Sequence, residues 1–138
     1  GTATRPHAPA APAEMRGTRL LVVEDHQVNR RVLENQLRPL GCAIEFAETA
    51  ERAVAAWEEL AARGSVPDAV LVDHQLPDHP GEWVAERIRA TAAGKSVPLV
   101  LLTSLDGLTR GATRSSAFAR VLPKPVKREA LVRVLGEV

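Results

Sequence analysis

Cysteine occurs once, as Cys42, so no internal disulfide can form and the chain suits a reducing compartment. Tyrosine is absent, and Phe46, Trp57, Trp83 and Phe118 are the whole aromatic set. That is too few rings for a base-stacking surface. Neither sign of charge dominates: 18 Lys plus Arg stand against 17 Asp plus Glu, which removes the electrostatic case for nucleic acid. No apolar run approaches the ~20 residues that cross a bilayer. Residues 1–18 lack the apolar stretch of a signal peptide. No G-x-G-x-x-G or Walker-type loop follows the first apolar run, which argues against a Rossmann nucleotide site. The domain is expected to be soluble and cytoplasmic, with no membrane contact of its own.

At 138 residues, 45% apolar and 25% charged, the chain has the size and balance of one globular domain. Residues 1–18 are rich in Ala and Pro without periodicity. They read as a flexible linker or a remnant left by expression, preceding a domain over 19–138. A linker in front suggests that another part of the natural protein precedes it.

From Arg19 onward, short apolar runs alternate with amphipathic stretches. Leu20 to Val23 is uniformly apolar and ends in Glu24-Asp25, as a strand buried on both faces would. Val28, Val32, Leu33, Leu37 and Leu40 follow at helical spacing, closed by Pro39-Leu40-Gly41. Ala43–Ala47 is a second strand candidate. Thr49 is a plausible N-cap for a helix striped by Val54, Trp57, Leu60 and Ala61 and ended by Gly64. Ala69–Val72 leads to Asp73, and Pro80-Gly81 opens a helix through Trp83, Val84 and Ile88. Leu99–Leu102 leads to Thr103 and Ser104. A weak helix is expected around 108–118, a short strand at Val121-Leu122, and a last helix through Leu131, Val134, Leu135 and Val138. This alternation specifies an α/β fold with a doubly wound, flavodoxin-like parallel sheet of five strands, order 2-1-3-4-5, and helices on both faces.

In such a sheet ligands bind beyond the carboxyl ends of the strands. The residues there are Glu24 and Asp25, Asp73, Thr103 with Ser104, and Lys124. Converging carboxylates repel one another, and a divalent cation relieves the conflict. All-oxygen ligation suits Mg²⁺, which accepts phosphate oxygens as further ligands. Lys124 adds a point charge for an incoming phosphoryl group, and the Thr103 hydroxyl adds a donor. Asp73, after the central strand, is then the natural nucleophile.

The segments LLVVEDHQVNRRVLENQLRPLGC, VLVDHQLPDHPG, LVLLTS and LPKPV, in this order, resemble the receiver domain of two-component response regulators. The first is most like receivers fused to hybrid sensor histidine kinases. The resemblance implies that Asp73 is the phosphoacceptor and that Asp25 ligates Mg²⁺ beside it. It further implies that Glu24 holds the metal through water and that the backbone carbonyl of Gln75 completes the protein ligands. Thr103 and Lys124 would engage the phosphoryl group, and the Lys124–Pro125 bond would be cis. The implied partners are a sensor histidine kinase or a histidine phosphotransfer protein, with the exposed start of the first helix (Gln27, Val28, Arg30, Arg31) as a docking face. Many relatives also pair weakly through the last helices and strand. Slow self-hydrolysis of the acyl phosphate is expected, but the domain is not read as an enzyme.

The chain departs from the family at several places. Val121 stands where a switch aromatic is usual, His79-Pro80-Gly81 where Met-Asp-Gly is frequent, and His74 where an apolar residue commonly follows the acceptor. Pro39 is expected to fray the first helix. His74 and His79 read as surface residues, Trp57 and Trp83 as core, and Cys42 as buried. An aspartate-nucleophile hydrolase of the haloacid dehalogenase-like kind needs a second Asp where Gln75 stands, and fails there. The surviving alternative is a pseudo-receiver, an interaction or autoinhibitory domain that works without phosphorylation.

Overall fold

The computed structural model describes residues 17–103, 118, 120–124 and 127–137. Strands β1 (Arg19–Val23), β2 (Ala43–Ala47), β3 (Ala69–Asp73), β4 (Leu99–Thr103) and β5 (Arg120–Pro123) alternate with helices. The described helices are α1 (Gln27–Leu37), α2 (Ala50–Ala62), α3 (Gly81–Arg89) and α4 (Arg128–Glu137). Every strand pair is parallel, and the order is β2-β1-β3-β4-β5, as expected. Ser104, the helix expected near 108–118 and the Lys124–Pro125 peptide lie outside the described residues.

Each central strand divides its side chains between two cores, because successive residues point to opposite faces. Leu20 and Val22 pack with Leu33 and Leu37 of α1 and Leu131 and Val134 of α4. Leu21 and Val23 pack on the other face with Trp57 of α2 and Val84 and Ile88 of α3. β3 and β4 are buried along their whole length. At about 1.5–3 kcal/mol for each fully buried Leu or Val side chain, these two layers hold the strand ends in register. The chain crosses from β1 to the β2 edge and returns to β3 on the other side of β1. The carboxyl ends of β1 and β3 therefore flank the switch point of the topology.

The helices correct the sequence expectations in detail. Val28 and Val32 are 62% and 42% exposed, so the buried stripe of α1 is Leu33 and Leu37, continued by Leu40. Val32 sits about 100° around the helix from Leu33, and Val28 about 140° from it. Pro39 does not fray the end. The α-helix stops at Leu37 and tightens into a 3₁₀ turn, Arg38–Leu40, closed by Gly41 at φ 88° in the left-handed region. In α2 the fully buried row is Ala50, Ala53 and Trp57, where small residues let the helix approach the sheet. Thr49 caps it as expected, accepting the Arg52 N–H at 3.1 Å.

Trp57 is core, with its indole N–H donated to Thr91 Oγ1 at 3.0 Å. Trp83 is not: it is half-buried, with the His79 ring stacked on it at 3.8 Å and the Arg87 guanidinium 4.7 Å from its centroid. Cys42 is buried, and burial pushes its thiol above the ordinary value.

Candidate functional site

Three chain segments leave the sheet together at the switch point. β1 runs into Glu24, whose N–H is held by Ala47 O at 3.0 Å. β3 ends on Asp73, and β4 ends on Thr103, whose carbonyl accepts the Lys124 N–H at 2.7 Å. The parallel ladder thus delivers Glu24, Asp73, Thr103 and Lys124 to one cleft of about 190 Å³, which Asp25, His74 and Gln75 also line.

The cleft buries two of its three carboxylates. Glu24 is fully buried, Asp73 is 5% exposed and Thr103 is 1% exposed, while Asp25 is exposed. Carboxylate oxygens of Glu24, Asp25 and Asp73 all lie within 4.8 Å of one another. Lys124 reaches into this group, with Nζ 2.8 Å from Asp73 Oδ1 and 3.4 Å from Glu24 Oε1. Among the described residues, one ion-paired cation, Lys124, stands against three carboxylates, a net negative group when all are ionised.

Glu24 registers that imbalance. Burial and then the neighbouring Asp73 charge push its carboxyl above the ordinary 4.5, against the His26 N–H and Lys124, which pull it down. Oε2 accepts the His26 N–H at 3.1 Å. Oε1 is buried without a hydrogen-bond partner among the described residues, because Lys124 lies near it without the alignment a bond needs. Burial alone would lower the Lys124 ammonium, but its bond to Asp73 and the two carboxylate charges outweigh that and raise it.

The loop after β3 is held at both ends. The Gly81 N–H donates to His74 O at 2.9 Å. A Cβ at Gly81 would stand 2.6 Å from Asp73 O and 3.2 Å from side chains of Val72 and Leu101. Only glycine lets α3 begin this close to the acidic strand end. Between these points Asp78 reaches across to α2 and accepts the N–H groups of Ala50 at 2.8 Å and Glu51 at 2.9 Å. Slight burial opposes ionisation of Asp78, but the Glu51 and Ala50 N–H bonds prevail and hold its carboxyl below the ordinary value. A second group, Glu51, Asp78 and His79, also clusters, but the Asp78 oxygens are already engaged by α2.

Of the strand-end residues singled out by sequence, Glu24, Asp25, Asp73, Thr103 and Lys124 come together, and Ser104 lies outside the described residues. Missed were His26 as a donor to Glu24, Asp78 as a cap on a distant helix, and the contacts of His74. The His74 Nδ1 is 3.3 Å from Thr103 Oγ1, and its Nε2 is 3.6 Å from Glu82 Oε2. The sequence signal for the last was only that an imidazole stands beside Asp73.

A family model described as the response regulator receiver domain matches residues 20–136. The chemotaxis protein CheY1 of Helicobacter pylori is 31% identical over 123 residues, covering 86% of this chain and 97% of that protein. The virulence sensor protein BvgS of Bordetella pertussis is 37% identical over 126 residues, again 86% of this chain but 10% of that protein. Among solved structures, the receiver domain of a Pseudomonas aeruginosa sensor histidine kinase is similar with TM-score 0.77 and 33% identity. It covers 88% of this chain and 96% of that one, and holds a magnesium ion in its active-site cleft.

Proposed function

Since the chain belongs to the response regulator receiver domain family, we propose that Asp73 takes a phosphoryl group from a phosphohistidine, on a sensor histidine kinase or a histidine phosphotransfer protein. One observation carries the reading: among the described residues, buried Glu24 and Asp73, with Asp25 within 4.8 Å, have a single lysine among them, and Glu24 Oε1 has only the 3.4 Å ion pair to Lys124 and no hydrogen bond. Apolar burial of such a group is costly unless a charge is supplied. The donor set fits Mg²⁺, which Asp25 and Asp73 would hold directly, with Glu24 acting through water and the Gln75 backbone carbonyl as a further ligand. When bound, the ion neutralises the carboxylates and the phosphoryl oxygens.

The remaining work belongs to the chain. An Asp73 oxygen attacks phosphorus, the P–N bond breaks, and its electron pair returns to the donor imidazole. Lys124, bonded to Asp73 beforehand, transfers its ion pair to the phosphoryl oxygens. Thr103 donates its hydroxyl to one of them. The acyl phosphate then hydrolyses slowly, so the domain is a phosphoacceptor rather than a classical enzyme.

The finer reading is a receiver joined to a hybrid sensor kinase. Its support is the match to a tenth of BvgS and the likeness to a sensor-kinase receiver. No described helix is long and apolar enough to cross a membrane. Val121 favours a second reading, a phosphorylation-independent interaction domain, because it is half-buried on the α2–α3 side and offers no ring to swing.

Intact-protein mass after incubation with acetyl phosphate decides between them. A single Mg²⁺-dependent phosphoryl adduct, labile to hydroxylamine and absent in Asp73→Ala, is expected. No adduct from either acetyl phosphate or a phosphohistidine donor overturns the phosphoacceptor reading in favour of the second.

A further inference from the structure

Thr103 is almost fully buried, and a buried hydroxyl needs a partner. Its partner among the described residues is His74 Nδ1, at 3.3 Å. The other ring nitrogen of His74 faces the Glu82 carboxylate at 3.6 Å. A carboxylate facing Nε2 orients a ring proton to that side, which leaves Nδ1 as the acceptor. The Thr103 hydroxyl then donates to His74. The backbone of His74 is pinned on both sides: its N–H donates to Leu102 O at 2.7 Å, and its carbonyl accepts the Gly81 N–H.

We propose that His74, oriented by Glu82, is a positioning residue that holds the Thr103 hydroxyl away from the phosphoryl site until a phosphoryl group competes for it. The inference rests on the phosphoacceptor reading and adds to it the element that sets the resting state. A hydroxyl has one proton to donate. Donating it to a phosphoryl oxygen on Asp73 requires giving up the bond to Nδ1, so the His74–Thr103 bond opposes the phosphorylated arrangement by its own net strength. Val121 supplies no ring to bias Thr103, whereas His74 acts on Thr103 directly. A leucine in place of His74 would remove the acceptor. An asparagine would carry a carbonyl oxygen close to the place of Nδ1.

Beryllium fluoride, a phosphoryl mimic that binds aspartate, tests this at equilibrium. His74→Leu is expected to bind it about two- to tenfold more tightly than wild type in Mg²⁺, the range set by one net hydrogen bond. His74→Asn is expected to restore near-wild-type affinity. In a Thr103→Val background, His74→Leu is expected to change nothing, since the two substitutions remove the same bond. Mg²⁺ affinity without fluoride does not call on Thr103, so it is expected to be equal in wild type and His74→Leu. Equal fluoride affinity in wild type and His74→Leu, a gain that survives in Thr103→Val, or a parallel shift in Mg²⁺ affinity would each overturn the positioning role. If wild type itself neither binds the mimic nor accepts phosphoryl from acetyl phosphate, the phosphoacceptor reading falls with it, and that outcome is recognisable before any variant is made.

Discussion

Replacing Glu24 with glutamine separates what the acidic cleft costs from what it does. Glutamine keeps the shape and removes a fully buried charge whose ionised form is disfavoured by burial and by Asp73. Removing such a charge is expected to stabilise the metal-free protein by about 1–3 kcal/mol at neutral pH, the scale on which neutral replacements of imperfectly compensated buried charges act. The pH dependence has a fixed sign. The folded-state pKa of Glu24 lies above 4.5, so the folded protein binds more protons than the unfolded chain between those values, and wild-type stability falls as pH rises through that window. The gain of Glu24→Gln is therefore largest above the folded pKa and vanishes below 4.5. Urea denaturation without metal at several pH values measures it. Adding Mg²⁺ should narrow the difference, by about 1.4 kcal/mol for each tenfold loss of affinity. A ligand at a hundred times its dissociation constant stabilises a native state by about 2.7 kcal/mol, and the variant should need at least about tenfold more Mg²⁺ for the same gain. A less stable metal-free variant, or an undiminished response to Mg²⁺, would refute the idea that Glu24 is kept ionised for a cation.

Three further expectations follow from packing and capping. Gly81→Ala sets a methyl 2.6 Å from Asp73 O, so it should cost about 1–3 kcal/mol in urea melts and also weaken Mg²⁺ binding. An unchanged Mg²⁺ affinity would mean that α3 shifts and Asp73 does not. Asp78→Ala should cost about 1 kcal/mol by uncapping α2, an effect seen above the ordinary carboxylate value of 3.8 and lost as pH falls through the lower folded value. A loss that persists in strong acid would point to packing instead. Trp57→Phe should cost about 1–2 kcal/mol by removing the indole donor to Thr91 Oγ1, and a neutral result would show that Ile88 O and the Gly94 N–H satisfy Thr91 without it.

The strands and the acids that end them were legible because a strand buried on both faces leaves an uninterrupted apolar run, and the residue that breaks the run marks its end. Leu20–Val23 before Glu24 and Ala69–Val72 before Asp73 are of this kind. Helix faces were less legible. Periodicity places Val28 and Val32 on an apolar side of α1 but does not say how wide the buried stripe is, and that width depends on how α1 lies on the sheet. Trp83 was misread for a related reason: a ring at helical spacing can pack on the core with one face and on His79 with the other. The contacts of Asp78 with Ala50 and Glu51, and of His74 with Thr103, join residues far apart in sequence. Local pattern carries no trace of such pairs. They follow only once the sheet order puts α2 and β4 beside the loop that follows β3.

Asp78 also acts as a ruler. Most surface loops absorb an inserted residue at small cost, because the extra chain bulges into water. The loop after Asp73 is a closed hoop, fixed at its waist to the first turn of α2 and at its neck by the bond from Gly81 to His74. One added residue between Asp73 and Asp78 would have to break the grip on α2 or push Gln75 out of the cleft. The length of this segment is thus dictated by the distance to a helix that plays no part in the chemistry.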